Sequence, residues 1–216
     1  VAGASTTLQW QETDLYQLLL QPGLGSVGSN TAAGGAGALT VSPTHSTEYL
    51  LVGSNYNGNV VRHLTIEVGG RKLPPRISEF VANNRLSLRD GTNASPDWVE
   101  LHNPNNSALD LEGCHLSDDP AAPTKWAFPA GTAMPPHGYL VVFCSDSGTN
   151  HLHDPAGYLH TSFNLSQDGG SIILMASNGA VVADAITNYP AQREDLAYGR
   201  TLEGAWRFLE PTPREP

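Results

Sequence analysis

A chain of 216 residues with 11 Lys and Arg against 21 Asp and Glu, a net charge of −10, lacks the basic clusters that a phosphate backbone or an anionic membrane surface attracts. Lysine occurs only at Lys72 and Lys125, and no stretch approaches the roughly 20 apolar residues that span a bilayer, so neither nucleic acid nor membrane insertion is expected. With 22 Gly, 16 Pro and 15% charged residues, the composition is one of turns and short strands rather than long helices.

Residues 1–72 carry Glu12, Asp14, Glu48 and Glu67 against Arg62, Arg71 and Lys72, so almost all the surplus negative charge lies beyond them, and a mobile cation is its natural companion. The chain opens at Val1 without a basic, then apolar, leader, and an export signal is expected to have been removed or left out.

Thr6-Thr7-Leu8-Gln9-Trp10 alternates polar and apolar residues and predicts a strand. An apolar run from Leu15 to Leu20 predicts a second and stops at the turn signal Pro22-Gly23-Leu24-Gly25. The small-residue stretch Gly28 to Gly37 suits a loop. Strands follow at Ala38 to Val41, Thr47 to Val52 and Val60 to Val68, with Asn55 to Asn59 as the turn before the last. About five or six strands in the first seventy residues is the spacing of a sandwich. Gly69 to Arg76, ending in Pro74-Pro75, predicts a linker, which divides the chain into a module over 1–70, a linker over 71–76 and a second domain over 77–216.

Beyond the linker, short strands are predicted at Ile77 to Val81, Trp98 to His102, Cys114 to Leu116, Trp126 to Phe128, Tyr139 to Cys144, Ile172 to Ala176 and Val181 to Ile186. Leu140 to Phe143 is a continuous apolar run, fit for a strand covered on both faces, and Trp98, Trp126, Phe128 and Phe143 are the expected bulk of the core. A weak helical pattern appears only at Ala191–Asp195. Cys114 and Cys144 lie in apolar runs and belong to no Cys-x-x-Cys pair, which leaves two buried thiols or one disulfide between strands. The whole reads as all-β, two β-sandwich domains in tandem, for which the resemblances that follow imply an immunoglobulin-like fold.

Two resemblances support this. Leu8 and Trp10, Pro22 through Val27, Val41-Ser42-Pro43 and Thr47-Glu48-Tyr49-Leu50 resemble the small bacterial Ig-like modules, with Trp10 as the core Trp and Tyr49 as a tyrosine corner. The short region before Thr6 implies a module clipped at its N-terminus.

Pro96-Asp97-Trp98-Val99-Glu100-Leu101-His102-Asn103-Pro104, Leu116-Ser117-Asp118-Asp119-Pro120, Thr124 to Pro129, His160 to Ser166, Tyr198-Gly199-Arg200 and Pro211-Thr212-Pro213 resemble, in order and spacing, a bacterial lamin-tail domain over residues 77–213. Cys114 departs from the Trp or Tyr usual there, and Arg214 from the usual closing Gly. The resemblance implies an Ig-like sandwich that serves as scaffold or binding module, with no family-wide active site to carry over.

Three constellations could carry chemistry. Asp90, Asn93 and Asp97 place oxygen ligands in a Gly/Pro turn, a pattern that can wrap Ca²⁺ or simply bond its own backbone. Asp118 and Asp119 form an acidic pair suited to a turn and cap or to a shared ion. His151 and His153, in His-x-His, would face one way on a strand and could hold zinc or copper, with His160 or Asp154 as a third ligand, although the segment reads as a loop. No Gly-x-Ser-x-Gly elbow presents a nucleophilic Ser.

The expected function is non-catalytic: interaction or scaffolding in a larger exported or cell-surface bacterial protein. No cofactor is required beyond a possible Ca²⁺, and the expected partners are a protein, a cell-surface glycan or other domains of the parent chain. The alternative is a calcium-dependent carbohydrate- or ligand-binding module, for which Tyr56, Tyr158 and Tyr189 could stack on sugar if exposed together. A metal-dependent hydrolase needs convergent titratable groups in a pocket.

Overall fold

The computed structural model describes residues 1–147 and 153–215, and it divides into two compact units. The first comprises Val1–Leu73 with Pro104–Asn106, and the second Pro74–Asn103 with Ser107–Pro216.

The first unit holds β1 (Thr6–Gln11), β2 (Gln17–Gln21), β3 (Gly25–Ser26), β4 (Ala36–Val41), β5 (Thr47–Asn55) and β6 (Gly58–Ile66), with one 3-10 turn at Gly28–Asn30. β1 pairs with β4, and the second sheet runs β3-β2-β5-β6. Alternation makes the sandwich. Leu8 and Val41 from one sheet meet Leu18, Leu20 and Tyr49 from the other, with Val27 between them. Trp10 is only partly buried at the margin of this core; its ring lies against Gly37, where any Cβ would collide with the indole, and its Nε1 donates to Thr31 Oγ1 at 2.9 Å. The turn at 104–106 is counted with this unit because its amides clasp it. Asn106 Oδ1 accepts from Thr65 N at 3.1 Å, and Asn105 Oδ1 accepts from Leu73 N at 2.8 Å.

The second unit holds β7 (Arg76–Val81), β8 (Asp97–His102), β9 (Leu109–Asp110), β10 (His115–Ser117), β11 (Trp126–Ala127), β12 (Ala133–Met134), β13 (Tyr139–Cys144), β14 (Leu159–Thr161), β15 (Gly170–Met175), β16 (Val182–Tyr189), β17 (Ala197–Arg200) and β18 (Trp206–Leu209). A six-stranded sheet, β14-β13-β8-β7-β17-β18, faces a four-stranded sheet, β11-β10-β15-β16, and β12 pairs with β9. Ile77, Phe80, Val99, Leu101 and Val142 from the first interdigitate with Leu116, Ile172, Leu174 and Ile186 from the second. The all-β expectation holds for both units. Ala191–Asp195 is not helical but a loop ending in a turn, because Asp195 is drawn into hydrogen bonds with another loop.

The six-stranded sheet is covered on its other face as well. Trp98, Val81, Val141, Phe143 and Ala197 form a separate cluster there, capped by Leu88 and Tyr158 from loops. β13 therefore feeds both cores, Val142 and Cys144 to one and Val141 and Phe143 to the other, as its unbroken apolar run predicts. Both cysteines are buried free thiols, so the disulfide alternative is not realised.

Candidate metal centre

β14 pairs with β13 in parallel, setting His160 beside Phe143. The two rings stack with centroids 5.4 Å apart, and Tyr158 meets Phe143 edge-on at 5.1 Å. This fixes His160 on the outer cluster with its side chain only 6% exposed. Its Nδ1 lies 2.9 Å from Ser145 Oγ, which in turn contacts the Ser147 hydroxyl. Its Nε2 lies 3.3 Å from Asp154 Oδ2.

Asp154 is held by backbone amides. Ala156 N and Tyr158 N donate to its Oδ1 at 2.9 and 3.0 Å, and Gly91 N donates to Oδ2 at 2.5 Å. Gly91 is needed here: a Cβ would come within 2.7 Å of Asp154 Oδ1 and 2.6 Å of Ala156 N. Burial alone, with the side chain 3% exposed, would raise the Asp154 carboxyl; the bonds from Gly91, Tyr158, His160 and Ala156 outweigh it and hold the group below its ordinary value. Through Gly91 the neighbouring Asp90 is drawn in. Its Oδ1 accepts from Thr92 N, Thr92 Oγ1 and Ala94 N at 2.8, 2.7 and 3.0 Å, a turn-forming pattern. One ligand atom each from Asp90, Asp154 and His160 lies within 4.8 Å of the others.

The expected ligand sets are thus rearranged. Asp90 joins a cluster, but Asn93 is an exposed turn residue at φ 69 and Asp97 faces the other way. Strand alternation puts Asp97 on the side of Val99, toward the main core, where it accepts from Asn84 N at 3.3 Å and from the Leu165 amide, and burial pushes its carboxyl up to about 6. Asp118 takes Lys125 Nζ at 2.7 Å, while Asp119 caps its own turn through Ala121 N at 2.8 Å. His151 lies outside the described residues. His153 is exposed and forms a backbone bridge with Leu159. Asp154 and His160, which the sequence offers only as third ligands, are the pair the fold brings together.

Of the three candidate sugar-stacking rings, Tyr189 is buried, with its hydroxyl donating to Ser166 O at 3.1 Å, and Tyr158 is half-buried under the Arg214 guanidinium. Only Tyr56 is open, at 99% exposure, and its neighbour is Tyr16, 65% exposed, with ring centroids 5.5 Å apart. The sequence reading missed Tyr16 because it abuts an apolar run. A depression of about 700 Å³ beside Trp10 in the first unit is lined by Gln9, Asn30, Thr31 and small residues, none of them an acid, base or thiol.

The second unit is thus an Ig-like β-sandwich with loop-anchoring carboxylates. The lamin tail domain model matches residues 74–189, more than half of the chain, and the chain belongs to that family. No curated protein matches it. Among solved structures it is similar to a DUF4876 family protein from Bacteroides thetaiotaomicron VPI-5482, with 10% identity over 64% of this chain and 56% of that one and a TM-score of 0.29. The chain spans little more than half of that protein's length.

Proposed function

We propose that this chain is a non-catalytic interaction and scaffold region of a larger exported or cell-surface protein, binding a protein or glycan partner. One observation carries the reading: buried and half-buried acids of the lamin tail domain accept hydrogen bonds from the fold's own backbone. Glu79 accepts from Thr212 N at 3.0 Å, Glu100 from Arg214 N at 2.5 Å, and Asp154 and Asp195 each take three backbone amides. Groups spent in this way order loops, and ordered loops on a rigid sandwich are what partners bind. The Tyr16–Tyr56 pair supplies an exposed aromatic contact of the kind that dominates binding energy.

The test has two arms. Binding of the intact chain to arrayed surface glycans and envelope proteins is expected, with a tenfold or greater loss in Tyr16→Ser/Tyr56→Ser. Turnover of ester, peptide or glycoside reporters that disappears in Ser145→Ala would overturn the reading, since Ser145, His160 and Asp154 are the one hydrogen-bonded Ser-His-Asp chain among the described contacts.

A further inference from the structure

We propose that Asp90, Asp154 and His160 bind a divalent transition-metal ion of the Zn²⁺ class, tying the loop between β7 and β8 to the edge strand β14.

The donor set comes first. Two carboxylate oxygens and one imidazole nitrogen suit Zn²⁺ and its neighbours, whereas Ca²⁺ takes six to eight oxygens. The mixed set, not the turn Asp90-Asn93-Asp97, therefore selects the ion.

The geometry comes second. His160 Nε2 and Asp154 Oδ2 are 3.3 Å apart, longer than the usual N–H···O separation of about 2.9–3.0 Å. Two ligands of one tetrahedral ion with bonds of about 2.0–2.1 Å stand about 3.3 Å apart. The third donor, from Asp90, is within 4.8 Å of both.

The outer contacts come third. Metal-bound imidazoles are oriented through their other nitrogen, and ligating carboxylates are themselves hydrogen-bonded. Ser145 Oγ at 2.9 Å from Nδ1 is such a partner for His160, placed to accept from Nδ1–H when Nε2 serves as the metal ligand. The amides of Gly91, Ala156 and Tyr158 do the same for Asp154.

Charge comes fourth. Two carboxylates share this small space, one of them almost wholly buried, and among the described residues neither has a Lys or Arg ion pair. A cation between them removes the like-charge repulsion.

The test is a titration of the full chain with Zn²⁺ alone against a chromophoric chelator, repeated with Asp90→Asn, His160→Gln and Ser145→Ala. One equivalent is expected to bind. Asp90→Asn keeps the acceptor oxygen used by Thr92 and Ala94 and so preserves the turn; it is expected to weaken binding at least tenfold, and Ser145→Ala about 10–100-fold. Co²⁺ in place of Zn²⁺ is expected to give visible d–d bands that His160→Gln abolishes. A wild-type chain that fails to compete with the chelator overturns the proposal. So does an Asp90→Asn chain that folds and binds as tightly as wild type, or Zn²⁺ displaced stoichiometrically by Ca²⁺.

Discussion

Glu79 and Glu100 stand directly opposite each other in the β7–β8 ladder, with 3% and 1% of their surfaces exposed. Like charges in that position repel, and neither carboxylate can reach bulk water. Burial, reinforced by Glu100, pushes Glu79 up to about 8. Burial also pushes Glu100 up to about 7, against the bonds from Ser78 and from Arg214. The two acids hold the end of the chain, through Thr212 N and Arg214 N.

Both folded-state values lie above the ordinary Glu value of 4.5. Their contribution to stability is therefore complete below that value and is lost as pH rises through about 7 to 8. The melting midpoint of the second unit is expected to fall by several degrees between about pH 6 and pH 9, at about 2–4 °C per kcal/mol. Glu79→Gln keeps an acceptor for Thr212 N and cannot ionise, so it is expected to melt higher than wild type at alkaline pH and to flatten the profile. An unchanged slope in Glu79→Gln, measured by circular dichroism, would refute the assignment.

Arg200 makes the link between the two sheets of the second unit. Its guanidinium donates to both oxygens of Asp184, at 2.7 and 2.9 Å, its Nε donates to Ile77 O at 3.1 Å, and Asp184 Oδ2 also accepts from Ile77 N at 2.8 Å. Trp206 lies under the guanidinium at 4.6 Å. Arg200→Ala leaves the part-buried Asp184 without its charge partner and is expected to cost about 2–3 kcal/mol in urea denaturation. Arg200→Lys is expected to recover only part of that, because an ammonium cannot make the planar two-point contact.

The thiols should be inert. Burial raises the Cys114 thiol, with Asp110 adding to the rise, and burial drives Cys144 up further. A thiol-specific chromogenic reagent is expected to find neither in the native chain and both in denaturant, and a reductant is expected to leave the melting midpoint unchanged. A loss of stability on reduction would restore the disulfide.

The strands with a two-residue period were legible in the sequence because alternation and burial are one signal: Val99 and Leu101 inward, Trp98 and Glu100 outward. The four-residue strands β17 and β18 were not, since so few residues between charged turns carry no period; Tyr198-Gly199-Arg200 stood out only as a motif. For the site, Asp90 could be singled out by its turn, but the same alternation that made β8 readable turns Asp97 away from it. Asp154 arrives from 63 residues beyond Gly91, through a parallel β13–β14 pairing that no local pattern encodes. The fold was local information repeated, while the cluster is a consequence of topology.

Asp195 offers the sharpest check on carboxylates as loop anchors. Its Oδ1 accepts from Arg85 N, Leu86 N and Ser87 N at 2.7, 2.7 and 3.1 Å, while its own backbone sits at φ 56. Desolvation raises its carboxyl, but the three amides and Arg85 outweigh this and hold it below the ordinary value of 3.8. That stability is present above 3.8 and lost as pH falls through the depressed folded value. Asp195→Ala strands three amides in a loop whose Leu86 is already exposed, and it is expected to cost about 1–3 kcal/mol and to speed tryptic cleavage after Arg85. Asp195→Asn retains a neutral acceptor and should fall between the two, losing the acid-side pH dependence while keeping much of the protection. Equal cleavage rates in all three proteins would show that the loop is held by something other than this carboxylate.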